Sequence, residues 1–156
     1  MPEAELHNLG RIGLLDKVPF SAALLQKMLN SASSRLQDAR RTDNSPETRF
    51  DCAYSTIRAV ADAALLAQGW RTSTSKPGHH QTTIGCLVHT LGVSPVTVRV
   101  LDALRKQRNL SDYDGELVTE QALNECMHQA ESLCHLADQK LLPLLSKITP
   151  VLKSNN

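Results

Sequence analysis

The 156-residue chain reads as an all-α protein, an up-and-down bundle of about five helices. Three observations predict this class. Apolar residues recur at spacings of three and four along several long stretches, the period of a helix with one buried face. Pro and Gly fall between those stretches and so act as punctuation. Aromatic residues make up only 3% of the chain, and no stretch alternates with β-branched residues, so no sheet is expected.

In chain order, residues 1–20 read as an N-terminal leader that ends near Pro19. Ser21 is a suitable N-cap for a first long helix running to about Arg41, whose apolar stripe is Ala22, Leu25, Leu29, Ala32, Leu36 and Ala39. Ser45 and Pro46 open a second helix, with the proline at the first helical position, and Gly69 ends it. Its buried face is Phe50, Ala53, Ile57, Val60 and Ala64, with Asp51, Ser55, Arg58 and Asp62 opposite, either as a solvated line with internal ion pairs or as a partner surface. Trp70 follows, most simply as a plug over the core, with a partner contact as the alternative. After a polar loop, a shorter third helix spans about His80 to Leu91, and Ser94-Pro95 opens a fourth. The segment from Asn109 to Val118 reads as a connection, and Thr119 caps a fifth helix with the stripe Leu123, Cys126, Ala130, Leu133, Ala137 and Leu141. The bundle thus occupies residues 21–142, with a tail at 143–156.

Composition narrows the function classes. With 17 basic and 16 acidic residues the net charge is +1, which excludes a surface coated in cations for bulk duplex binding. Five aromatic rings are too few for a row of base-stacking platforms. No basic stretch followed by an apolar core opens the chain, and no apolar run is long enough for a membrane span. Cys52, Cys86, Cys126 and Cys134 form no C-x-x-C pair and read as reduced thiols, so a cytoplasmic protein without a membrane partner is expected. No phosphate-binding loop, dinucleotide fingerprint or nucleophile elbow is present, and no cofactor is expected. Cys126, His128, Glu131, Cys134 and His135 are ligand-type residues on the fifth helix, but Cys126 belongs to the apolar stripe, His128 sits on a different face, and nothing imposes tetrahedral closure, so no metal is expected either.

The informative segment is Arg105 to Gly115. Arg105 and Arg108 extend the inward stripe of Val98, Leu101 and Leu104, where an arginine is costly unless a partner meets it. Charge also reverses along the chain. Residues 99–109 hold four basic side chains against one acid, and residues 110–120 hold four acids and no base. Helix electrostatics explains the signs. Two roles stay open for Arg108: pairing with a carboxylate, or facing a phosphate or RNA, to which its guanidinium fork is suited. Asn109, Asp112 and Tyr113 belong to the same segment. His79 and His80, preceding the third helix, either assist at a phosphate or serve as a cap and a solvated ring.

These residues carry a resemblance. Phe50-Asp-Cys-Ala-Tyr54 with Ala59, Ala63 and Gly69-Trp70, then Gly78-His-His80, then Arg108-Asn109 with Asp112-Tyr-Asp114, in this order on an all-α chain, resemble the HEPN superfamily. That family consists of small, commonly dimeric α-helical bundles. The resemblance covers the chain from the second helix to the fifth. It implies RNA or nucleotide binding at a dimer cleft that contains Arg105, Arg108, Asn109, Asp112, Tyr113, His79 and His80. Active members carry Arg-Asn-x-x-x-His and cleave RNA without metal; here Arg108 and Asn109 match, while Tyr113 stands at the histidine position. A phenol with a pKa near ~10 is a poor proton shuttle at neutral pH, so family-type ribonuclease catalysis is not expected. The Arg-Asn-x-x-Asp-Tyr form resembles a divergent branch found beside small nucleotidyltransferases in toxin–antitoxin pairs, which implies such a partner and makes Tyr113 a candidate for adenylylation. A non-enzymatic interaction module, with Arg108 in a structural ion-pair network, is the alternative.

Overall fold

The computed structural model describes residues 2–115 and 117–146, with the backbone alone for residues 113, 114 and 146. It is an all-α helical bundle. Helix α1 (Pro2–Arg11) and strand β1 (Leu15–Lys17) precede two long helices, α2 (Ala22–Arg40) and α3 (Pro46–Ala67). Strand β2 (Trp70–Thr72), the short helices α4 (His79–Gly85) and α5 (Leu87–Thr90), and the long α6 (Pro95–Asp114) and α7 (Glu120–Lys140) follow. Helix α8 (Leu142–Ser146) closes the described chain.

The long helices start where the sequence signals them. Ser21, Ser45, Ser94 and Thr119 each accept a hydrogen bond from the backbone N–H three residues on, at 3.1 Å in all four cases. Each cap satisfies one of the amides that a helix start leaves without a partner, worth about 1 kcal/mol. Gly69 ends α3 with φ +83°, a left-handed conformation that a side chain would strain.

Helix α3 is the hub. It packs against α2, α7, α4, α5 and α6, so its burial extends well beyond one stripe, to Tyr54, Thr56, Ala61, Ala63, Leu65 and Leu66. The α7 stripe of Leu123, Cys126, Ala130, Leu133 and Ala137 is buried as its spacing predicts. Burial in this aliphatic core pushes the Cys126 thiol up to about 12, and burial elsewhere pushes the Cys86 thiol up to about 11.

Several local expectations are corrected. Residues 1–20, expected as a leader, are largely built into the fold: Leu6 and Leu15 are buried in a small second core with Leu65, Trp70 and Cys86. Three-residue strands do occur, β1 pairing antiparallel with β2 so that Leu15 faces Thr72 and Lys17 faces Trp70. Strands this short are too brief for alternation to announce them. The Trp70 indole plugs this core as expected, and Gly10 lets it sit close, since a Cβ there would lie 2.6 Å from the ring. The expected third helix is divided at Cys86, just after Gly85, a poor helix former. The connection expected from Asn109 is instead helical through Asp114, because no breaker precedes Gly115, which ends the helix at φ +68°. In the expected tail, Pro143 is the second residue of α8, where its missing N–H costs nothing; residues 147–156 lie outside the described residues.

Candidate functional site

On α6, Leu101 and Leu104 are buried, and the next step of that stripe is Arg108. Its Nε donates to Asp51 Oδ1 of α3 at 2.9 Å, and Asp112 Oδ2, one turn on, lies 3.7 Å away. The guanidinium carbon stands 5.3 Å from the centre of the Tyr54 ring, within cation–π range. Partial burial pulls the Arg108 pKa down, but the Asp51 hydrogen bond and the charges of Asp51 and Asp112 outweigh it, so the net shift is upward. Of the two roles left open by the sequence, carboxylate pairing is therefore realised. It does not bury the charge: the Arg108 side chain is 27% exposed and Asp51 51%.

One turn earlier, Arg105 Nε donates to Asp102 Oδ1 at 2.9 Å, with Lys106 Nζ 3.5 Å from the other carboxylate oxygen. Asn109 is half-buried beside Arg108, and Asp112 is exposed. Tyr113, expected in the connection after the fourth helix, has its backbone in the last turn of α6, which corrects that placement; its side chain lies outside the described residues.

Below Arg108, α3 supplies the floor. Tyr54 is only 1% exposed. Burial pushes its phenol pKa up, against the pull of Arg58, Arg108 and Arg105. Arg58 is one turn further along α3, with Nη2 3.9 Å from Asp62. The Tyr54 hydroxyl and Arg58 Nε are both buried without a hydrogen-bond partner among the described residues. Together with Arg35 of α2, Asp62 and Arg108 they line a cleft of about 260 Å³. The line Asp51, Ser55, Arg58 and Asp62, expected to be solvated, is thus half covered: Asp51 is taken by α6, and Ser55, Arg58 and Asp62 line this cleft.

His79 and His80 arrive from the start of α4, their rings edge to face with centroids 4.4 Å apart. Gly78 occupies the N-cap position, so neither imidazole caps the helix. Burial, then the charges of Arg58, His79, Arg108 and Arg105, press His80 down to about 4. His80 therefore shares one positive region with those arginines and is neutral at pH 7. His79 lines a second, more apolar cleft of about 480 Å³ with Leu24, Met28, Leu66 and Trp70, and that cleft shares Arg58 and Asp62 with the first.

Of the sequence-predicted residues, Arg108 lines the first cleft and His79 the second; Arg105 and His80 line neither, though the charges of Arg105 and Arg108 act on the His80 ring. Missed as site residues were Arg35, Asp51, Arg58 and the buried hydroxyl of Tyr54. The available signal was the polar line on a helix that is apolar on nearly every other side. Such a helix is central, and polar groups on it meet neighbouring elements.

Among the described residues, no three His, Cys, Asp or Glu side chains are grouped to hold a metal ion. Glu131 accepts from Arg40 at 3.3 Å, and His135 pairs with Gln139 at 3.2 Å. No helix among the described residues is long and apolar enough to cross a membrane.

Fold and site together define an all-α helical bundle with a cationic cleft between α2, α3 and α6. No family model matches the chain, and no curated protein matches it.

Proposed function

We propose that this is a HEPN-like helical-bundle protein that binds RNA or a nucleotide through the Arg108 cleft. It acts as a cytoplasmic homodimer in a regulatory or toxin–antitoxin setting, without family-type RNase catalysis. The observation that carries the reading is that Arg35, Arg58 and Arg108, from three helices, line one cleft beside a buried Tyr54 hydroxyl and a buried Arg58 Nε that have no partner among the described residues. Guanidinium groups suit bidentate phosphate contacts. Dimerisation has support on α6, where Val96, Ala103 and Leu110 recur every seven residues and are all exposed. A nucleotidyltransferase partner would act on Tyr113. The test is RNA binding and oligomeric state of the full chain, with Arg108→Ala as the variant. Wild type should be dimeric and bind a short oligoribonucleotide, and the variant should bind it more weakly. A monomer without RNA or nucleotide affinity ends the proposal.

The second reading, a non-enzymatic interaction module, is favoured by the 2.9 Å bond between Arg108 and Asp51. It requires Arg108→Ala to lower thermal stability while every ligand interaction stays as it was.

A further inference from the structure

Two hydrogen-bond donors on side chains that line the cleft are left over by the fold. The Tyr54 hydroxyl and Arg58 Nε each expose less than 1 Å² and have no partner among the described residues. An unpaired buried donor costs stability, and a natural protein retains one when a bound group or a water satisfies it. Asp62 does not fill this role, since it stands 3.9 Å from Nη2 of Arg58, beyond hydrogen-bond distance. Arg35 and Arg108 bring two more guanidinium groups to the same 260 Å³ space. Three cations and a phenol donor, against the one carboxylate of Asp62, leave two positive charges in excess and call for a compact group with several acceptor oxygens and more than one negative charge. A phosphate monoester has three terminal oxygens and a charge near about −2, whereas a diester offers two oxygens and one charge.

We propose that Tyr54, Arg58, Arg35 and Arg108 form, within a single protomer, a pocket for the terminal phosphate of a monoester. The proposal rests on reading the cleft as an anion-facing surface and specifies the group it takes; it does not depend on dimerisation. Arg108 is the movable wall. Its guanidinium covers the Tyr54 ring and is held by a carboxylate that is itself half exposed, so it swings aside to admit the phosphate. The organic remainder lies in the adjoining apolar cleft between Leu24, Met28 and Trp70, reached past Arg58 and Asp62.

Calorimetry on the full chain would compare AMP, ribose 5-phosphate, inorganic phosphate, cyclic AMP and adenosine, using wild type, Tyr54→Phe and Arg58→Gln. AMP should bind about tenfold more tightly than cyclic AMP or adenosine, and each substitution should weaken it by about tenfold, the loss of one charge-assisted hydrogen bond. AMP tighter than inorganic phosphate identifies a nucleotide as the source, and equal affinities identify free phosphate. Wild-type affinity in both variants would overturn the pocket and assign the two donors to a buried water; so would equal binding of cyclic AMP, or no binding of any phosphate. RNA binding that needs Arg108 but ignores Tyr54→Phe would sink this pocket and leave the proposed function standing. Tyr54-dependent AMP binding by a monomer without RNA affinity would do the reverse for the RNA and dimer reading.

Discussion

Replacing Arg108 with Gln removes a charge that ties α6 to α3, and the size of the loss follows from its exposure. A fully buried pair broken on one side would cost about 3–5 kcal/mol, because a carboxylate is left stranded away from water. Asp51 would not be stranded here, since half of its side chain already meets solvent. An ion pair of this kind contributes about 0.2–1 kcal/mol, and the guanidinium over the Tyr54 ring adds about 0.5–1 kcal/mol. The expected loss is therefore about 1–2 kcal/mol, which lowers Tm by about 3–6 °C in a chain of this length. The assay is a double-mutant cycle of Asp51→Asn and Arg108→Gln, followed by urea unfolding in low and in high salt. The coupling energy should fall within the ion-pair range and shrink as salt screens it. A loss above about 4 kcal/mol, or a coupling indifferent to salt, would refute the picture of a half-open pair and describe a sealed one. Zero coupling would mean that the two side chains do not meet.

Gly10→Ala sets a helix-propensity gain of about 1 kcal/mol against an overpacking penalty of about 1–3 kcal/mol, because the new methyl meets the Trp70 ring at 2.6 Å. The net effect should be destabilising, with a shift in indole fluorescence; a rise in Tm would show that Trp70 can yield freely. His80 should titrate near about 4 when its ring protons are followed by NMR. Its folded pKa lies below the unfolded value, so the associated stability is complete above about pH 6.5 and is lost as pH falls toward about 4. Stability that is flat across that window would contradict the burial of His80 near these charges. Under native conditions Cys52, the least shielded thiol, should react with an alkylating reagent well before Cys126, and labelling of Cys126 should track global unfolding.

Much of the fold was legible because the long helices carry their own signals. Ser21, Ser45, Ser94 and Thr119 announce helix starts through local chemistry, and the stripes on α2 and α7 report one buried face each. Helix α3 was harder to read. Its amphipathic pattern showed which face is most apolar, but the number of neighbours around it decides what happens to the other faces, and that is set by residues distant in sequence. The burial of the Tyr54 hydroxyl and the half-covered Asp51–Asp62 line follow from this tertiary setting. The extension of α6 past Asn109 was readable in principle from the first glycine after it, Gly115. Charge reversal masked it, since acids at a helix C-terminus oppose the dipole; the contact of Arg108 with Asp112 offsets part of that cost. The inward arginine itself was visible from spacing alone. Its partner was not, because Asp51 lies on another helix far back in the sequence.

The β1–β2 ladder bears on the order in which the chain assembles. Between Leu15 and Thr72 lie two whole helices, α2 and α3, which are joined by a short turn and can pair as a hairpin soon after both are made. The ladder closes a far longer loop, at a greater entropic cost, and cannot form until Thr72 has left the ribosome. Leu6, Leu15 and Trp70 would therefore remain open to solvent while the hairpin is already compact, so the small second core should be the last part to acquire protection from hydrogen exchange during refolding. Residues synthesised before either long helix would then be among the last to settle.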